Sequence, residues 1–128
     1  MRPAPRMTEL TCFDRGSLME RLMGDTELAR RVIAGFLESM PGQLAAFSEA
    51  LSTGNLVAVR LAAHSIKGAA GNIGGAALSN IARQAQEHAD SGDTDAFRAL
   101  LPEMKARFDC TAAELERFLD ELPASGTR

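Results

Sequence analysis

Apolar residues recur every three or four positions along most of the 128-residue chain, and no stretch alternates between apolar and polar residues. The longest stripe comprises Leu28, Val32, Phe36, Met40, Leu44, Phe47 and Leu51. This spacing places side chains on one face of an α-helix, whereas a β-strand with one buried face needs a period of two. The sequence therefore predicts an all-α chain without a sheet.

Short turns separate the predicted helices. They lie at Gly24-Asp25, Thr53-Gly54-Asn55, Gly74-Gly75 and Ser91-Gly92-Asp93. Short connections favour antiparallel packing of successive helices. We therefore predict an antiparallel up-down four-helix bundle with a short additional N-terminal helix. This single domain spans residues 8–123, and flexible tails are expected at 1–7 and 124–128.

Several local signals predict where helices begin, bend or end. Ser17 with Glu20 has the pattern of a capping box, so the short first helix is expected to start at Ser17 and end at Gly24. Asn55 is the expected N-cap of a later helix. Pro41 is expected to bend its helix because the apolar stripe resumes in phase, and Pro102 is expected to split the last helix.

The helix after Asn55 carries a histidine on the side opposite its apolar stripe. At about 100° per residue, the apolar side carries Val59, Ala62, Ile66, Ala69 and Ile73. The other side carries Val57, Arg60, His64, Lys67, Gly68, Gly71 and Gly75. Glycine within a helix costs about 1 kcal/mol relative to alanine. Since glycines that serve helix packing should lie on the apolar side, these indicate a surface that a partner approaches closely.

The run from Ala63 to Gly74 resembles a known family. It reads Ala-His-Ser-Ile-Lys-Gly-Ala-Ala-Gly-Asn-Ile-Gly, and Leu78 and Gln86 follow on the next helix. The pattern Ala-His-x-x-Lys-Gly, then small residues and Asn-x-Gly, is similar to that of the histidine-containing phosphotransfer (HPt) domains of multistep phosphorelays. The resemblance covers residues 13–122. It implies that His64 accepts a phosphoryl group from a receiver-domain aspartyl phosphate and passes it to another receiver aspartate.

The side chains near His64 suit this chemistry. Neutral imidazole is a nucleophile near pH 7, because its ordinary pKa is about 6.5. Lys67, one turn on, is placed to offset the charge of the phosphoryl oxygens. The resemblance implies that Nε2 attacks while the Gln86 carbonyl accepts a hydrogen bond from the other ring N–H. His88 lacks the lysine and glycine that follow His64, and we interpret it as structural.

The same surface is the expected docking site for a receiver domain of a hybrid sensor kinase or a response regulator. The predicted docking residues are Arg60, Leu61, Gly68, Gly71, Asn72 and Gly75. A formal net charge of −3, the absence of Trp and Tyr and the lack of a basic stripe argue against nucleic acid and anionic membranes as partners. No apolar run reaches the length of a membrane span, and the N-terminus lacks a signal-peptide core. A cytoplasmic monomer is therefore expected.

No cofactor or metal site is predicted in this chain, and the Mg²⁺ that phosphoryl transfer uses is expected to come from the receiver. Cys12 and Cys110 lie 98 positions apart, and in a chain expected to be cytoplasmic we predict free thiols. Two cysteines and two histidines without close spacing do not form a zinc signature.

Two other functions remain open at this point. A helical adaptor would use the same surface to bind a receiver or another partner without carrying phosphate. The phosphotransfer domain of a chemotaxis-type kinase shares the His-x-x-Lys-Gly pattern and takes phosphate from an ATP-binding domain. Since the sequence contains neither a P-loop nor a kinase glycine-rich signature, the chain is not an autonomous kinase, and a phosphocarrier is favoured over an independent enzyme.

Overall fold

The computed structural model describes residues 11–123, excluding the side chains of Thr94 and Phe97, and this range is all helical as predicted. The elements are α1 (Arg15–Arg21), α2 (Thr26–Thr53), α3 (Leu56–Ile73), α4 (Ala76–Ser91) and α5 (Thr94–Glu121). No strand occurs within the described range. The tails predicted at 1–7 and 124–128 lie outside it.

Acidic or amide side chains cap most of the helices at their N-terminal ends. The Asn55 carboxamide oxygen accepts from the backbone N–H of Ala58, as predicted for the start of α3. The capping box predicted at Ser17 is wrong, because Asp14 caps α1 and its carboxylate accepts from the Ser17 backbone N–H at 3.0 Å. A side-chain acceptor three residues upstream took the role that the sequence pattern assigned to Ser17.

Both internal prolines lie within continuous helices. Pro41 does not end α2, as predicted, but the predicted split of the last helix at Pro102 is wrong. A proline removes one backbone hydrogen bond from a helix. Met40 and Met104, close to these prolines, are fully buried, so the apolar faces on both sides of each proline remain packed in one core. This packing keeps each helix continuous at the proline, where one backbone hydrogen bond is missing.

The core stripe of α2 differs from the prediction at its N-terminal end. Ala29 and Ile33 are fully buried, whereas Leu28 is 38% exposed and Val32 is only partly buried. Steps of four residues drift around a helix of 3.6 residues per turn, so a stripe that alternates steps of three and four stays on one face. In α4 the apolar residues Leu78, Ile81, Ala82, Ala85 and Ala89 are all buried.

The long helices pack in neighbouring pairs. Helix α3 packs against α2 and α4, and α5 packs against the same two helices. The short α1 packs against α2. One flank of α3 therefore meets α4, and the side of α3 that turns away from the core is left open.

A segment before α1, which we call the N-terminal strap (Thr11–Asp14), crosses the turn between α3 and α4. Its Phe13 is buried, with its ring 5.6 Å from that of Phe118 in α5. The strap's hydrogen bonds are Asp14 N to Gly74 O (2.9 Å), Ala77 N to Thr11 O (3.0 Å) and Thr111 Oγ1 to Cys12 O (2.7 Å). The strap thus contacts both the α3–α4 turn and α5.

The start of α1 is also fixed to α5. Arg15 donates to Glu121 at 2.5 Å, and its guanidinium lies 4.7 Å from the centre of the Phe118 ring. The hydrogen bond to Arg15 lowers the pKa of the Glu121 carboxyl and raises that of the Arg15 guanidinium. Because both groups are exposed, solvent screens this ion pair, and it orients α1 more than it stabilises the fold.

Cys12 in the strap and Cys110 in α5 form a disulfide bond, so the prediction of free thiols is wrong. Their Cα atoms lie 5.8 Å apart although the residues are 98 positions apart in sequence. The prediction rested on the separation of the two cysteines in sequence and on the expected cytoplasmic location. Neither gives the distance between two residues in the folded chain. The disulfide covalently fixes the strap to the last helix.

Gly74→Ala is expected to destabilise the protein by about 2–4 kcal/mol. Gly74 has a φ of 87°, and an added Cβ would lie 2.9 Å from the backbone oxygen of Asp14. Urea unfolding measures the change. As a control, Gly35→Ala adds a Cβ with no heavy atom within 4 Å inside α2. It should leave stability equal or raise it by up to about 1 kcal/mol. Equal effects of the two substitutions would contradict this account of the strap.

Candidate functional site

His64 lies on the exposed side of α3. The buried side of this helix consists of Val59, Ala63, Ile66, Ala70 and Ile73. The predicted apolar residues Ala62 and Ala69 are only partly buried and mark the edges of this stripe. With Ala63 in the core, His64 projects into solvent, and its ring is accessible to a macromolecule.

Gln86 of α4 is the side chain that meets the imidazole of His64. The amide nitrogen Nε2 lies 3.5 Å from the ring Nδ1. In this orientation the amide donates to Nδ1, which places the ring proton on Nε2. A nucleophilic Nε2 needs the other tautomer, and a half-turn of the amide presents its carbonyl to an Nδ1–H. The predicted contact between Gln86 and His64 is present, with the amide nitrogen rather than the carbonyl towards the ring.

Lys67 follows His64 by one turn and is partly buried. Its backbone carbonyl accepts from Ser79 Oγ of α4 at 3.2 Å. This cross-helix contact fixes the backbone of α3 just beyond the histidine. Lys67 also lines a cavity of about 410 Å³ between the strap, α1, α3 and α4.

The two glycines of α3 have different surroundings. Gly68 is exposed, and a Cβ added there would meet no heavy atom within 4 Å. Gly71 is partly buried, and its added Cβ would lie 3.8 Å from Ser79 Oγ, an ordinary contact. Gly68 therefore leaves open space beside His64, whereas Gly71 lies at the edge of the surface.

Gly75 does not belong to the exposed surface on which we predicted it. It is buried at the α3–α4 turn, and an added Cβ would lie 3.4 Å from both the Cys12 oxygen and Thr111 Cγ2. The prediction continued the helical projection beyond Ile73, where α3 ends. Asn72, on the last turn of α3, is exposed as predicted.

The N-terminal half of α3 adds charge and apolar area beside His64. Arg60 Nε lies 2.8 Å from Asp90 Oδ1 of α4, and both side chains are more than half exposed. Leu61 and Val57 are 58% and 69% exposed, which is unusual for large apolar side chains. We call the exposed face formed by Val57, Arg60, Leu61, His64, Lys67 and Gly68 the His64 surface.

Arg21 is a site neighbour that the sequence did not reveal. It is the last residue of α1, and its NH1 donates to the backbone carbonyl of Gly71 at 2.8 Å. It lines the same cavity as Lys67. No local pattern signals this contact, because it depends on how α1 packs relative to α3.

His88 has a different environment from His64. It is partly buried in the last turn of α4, and its backbone carbonyl accepts from Ser91 Oγ and from the backbone N–H of Asp93, both at 3.0 Å. The structural interpretation of His88 remains a prediction.

Within residues 11–123, one group of side chains has the spacing of a metal site: Cys12, Cys110 and Glu114. The two sulfur atoms are bonded to each other, so they are not thiolate ligands in this form. No helix in the described range is both long and apolar enough to cross a membrane.

Comparison with known proteins gives one family and one solved structure. A family model described as Hpt domain matches residues 31–125. The crystal structure of histidine-containing phosphotransfer protein B from Pseudomonas aeruginosa PAO1 has a similar fold, with a TM-score of 0.81 and 22% sequence identity. The match covers 87% of this chain and 96% of that chain. No curated protein matches the sequence.

Proposed function

Because the chain belongs to the Hpt domain family, we propose that it is a phosphocarrier that moves phosphoryl groups between receiver domains on His64. The observation that carries this proposal is the geometry at His64. The imidazole is exposed, Gln86 contacts its Nδ1, and the next turn of α3 is open at Gly68. An exposed nucleophile on an open helix face suits a protein that joins the active site of a partner.

In the proposed reaction, Nε2 of neutral His64 attacks the phosphorus of a receiver aspartyl phosphate. The nitrogen–phosphorus bond forms as the bond from phosphorus to the aspartate oxygen breaks, and the aspartate leaves as a carboxylate. Nδ1 stays protonated throughout. Once the amide of Gln86 has turned, the Nδ1–H donates a hydrogen bond to its carbonyl. A second receiver aspartate then attacks the phosphorus, the nitrogen–phosphorus bond breaks, and His64 leaves as neutral imidazole with the proton still on Nδ1. We propose that the receiver supplies the Mg²⁺.

The receiver is proposed to dock on the His64 surface. Val57 and Leu61 offer exposed apolar area next to the nucleophile, and Gly68 allows the partner backbone to come close. Apolar area surrounded by charged residues is typical of a protein-binding site. Arg60, Gly71 and Asn72 lie around this area. We propose that the protein acts as a monomer in the cytoplasm.

We infer that the four long helices form an antiparallel up-down four-helix bundle with α1 added at one end. Each long helix packs against two others. The contacts between α3 and α4 run in opposite order along the two helices: Arg60 with Asp90, His64 with Gln86, and Lys67 with Ser79. In this arrangement α4 supports the flank of α3 that carries His64.

The test is phosphate uptake from a purified receiver domain that carries labelled phosphate on its aspartate. The protein should become labelled, and the label should be lost in acid and kept in base, as expected for phosphohistidine. Adding an unphosphorylated second receiver should remove it. Binding of the receiver without any labelling would favour the adaptor function instead.

Lys67→Ala is expected to slow transfer to His64 about tenfold, because a charge-assisted contact to a phosphoryl oxygen is worth about 1.5–3 kcal/mol and partial exposure reduces it. Rapid-quench kinetics with a labelled receiver measures the rate. The other lysine of the chain, Lys105, is exposed on α5 and provides the control. If Lys67→Ala and Lys105→Ala both transfer at the wild-type rate, Lys67 has no part in the reaction.

A further inference from the structure

We propose that the Cys12–Cys110 disulfide is a thiol-exchange site at which a dithiol reductant releases the N-terminal strap from α5. The chain contains two cysteines, and both are in this bond. Cys110 is a partly exposed residue of α5 and not part of the buried core, so attack is assigned to its sulfur. Disulfides that are accessible in this way are the ones open to exchange.

The exchange is a balanced two-electron reaction. A thiolate of the reductant attacks Cys110 Sγ, the bond between the two protein sulfurs breaks, and Cys12 leaves as a thiolate that takes up a proton. The second thiol of the reductant then attacks the mixed disulfide and releases Cys110. The protein gains two thiols, and the dithiol becomes a disulfide.

Glu114 gives this site a distinctive chemical feature. Its carboxylate Oε2 lies 3.6 Å from Cys110 Sγ, one turn further along α5. A negative charge at this distance repels an incoming thiolate. Glu114→Gln should therefore be reduced faster than the wild type, by about threefold at low ionic strength.

The strap connects this disulfide to the His64 region. Asp14 in the strap donates its backbone N–H to Gly74 and caps α1. Helix α1 ends at Arg21, which donates to the carbonyl of Gly71. Arg21 and Asp14 form part of the wall of the cavity that Lys67 also lines. Loss of the covalent link to α5 should therefore loosen the wall beside Lys67.

The alternative is a disulfide that only stabilises the fold. In that case reduction would lower the melting temperature without changing the segment from the strap to Arg21 or the reactivity of His64. Our proposal requires a local effect as well. Backbone amides of the strap and α1 should exchange hydrogen at least about tenfold faster after reduction, while the buried amides of α3 keep their protection.

The experiment compares the oxidised protein, the dithiol-reduced protein and the Cys12→Ser/Cys110→Ser variant. Thiol titration should give no thiols in the first and two in the second, and the melting temperature should fall by about 10 °C on reduction. The double variant should match the reduced protein and should not respond to the reductant. Glu116→Gln, an exposed substitution two residues beyond Glu114, is the control for the rate of reduction.

The effect on phosphate transfer is the only part that rests on the proposed function. Reduction should slow transfer from a labelled receiver by about threefold, because the wall of the cavity that Lys67 lines loosens. If no form takes up phosphate, the proposed function fails, while the thiol count and hydrogen exchange still test the switch. Two thiols in the air-oxidised protein, or unchanged exchange in the strap and α1 after reduction, would overturn the proposal. An unchanged transfer rate in a protein that does take up phosphate would overturn the coupling of the strap to His64, which is the part that rests on the proposed function.

Discussion

His64→Gln is expected to abolish phosphate uptake from a phosphorylated receiver. Glutamine has a similar size and polarity, but its amide nitrogen is not a nucleophile, so no phosphoramidate can form. The fold should be unaffected, because the side chain is exposed and the buried stripe of α3 does not include it. Acid-labile label on the protein and the melting temperature, measured on the same sample, separate loss of chemistry from loss of structure.

His88→Gln is the matched control for this prediction, since His64 and His88 are the two histidines of the chain. It should take up phosphate at the wild-type rate. Label on His64→Gln at the wild-type level would rule out His64 as the phosphorylated residue. Loss of label in both variants would instead indicate that His88 supports the site through α4.

Receiver binding should survive in His64→Gln. The proposed docking area extends along α3 to Val57 and Leu61, which this substitution does not touch. A dissociation constant within about threefold of the wild-type value, or 0.7 kcal/mol, is therefore expected. Chemistry and docking would then be separable properties of one surface, and a stable unphosphorylated complex could be isolated.

The sequence predicted α3 closely, because its signals are local. Asn55 caps the helix, the apolar residues follow its period, and Gly74 ends it with a left-handed conformation. Exposure of His64 and Gly68 follows from that period alone. The contact between His64 and Gln86 was implied by the family resemblance, and the short turn between α3 and α4 brings the two residues together.

Features that depend on distant parts of the chain could not be predicted. The strap crosses the α3–α4 turn, buries Gly75 and pairs Cys12 with Cys110. Nothing near Cys12 in sequence indicates that α5 lies beside it. Arg21 reaches Gly71 for the same reason, since the position of α1 is determined by long-range packing.

The open space at Gly68 leads to the second large effect. Gly68→Gln should weaken receiver binding and slow transfer by at least about 30-fold, since forcing a bulky side chain into a close interface costs about 2 kcal/mol. The same substitution should raise the stability of the free protein by up to about 1 kcal/mol, because glutamine favours a helix over glycine. A glutamine at this position meets no neighbouring heavy atom near its Cβ.

Gly35→Gln separates the two effects, because Gly35 is an exposed glycine inside α2 with equally open surroundings. It should gain similar stability and bind the receiver normally. Calorimetric titration with the receiver and urea unfolding measure the two quantities on each variant. Opposite signs for Gly68→Gln, with stability up and binding down, would mean that the chain gives up helix stability at this position to keep room for a partner. If Gly68→Gln instead unfolds the protein, the glycine serves packing; if it folds and transfers normally, the receiver does not approach His64 across this part of α3.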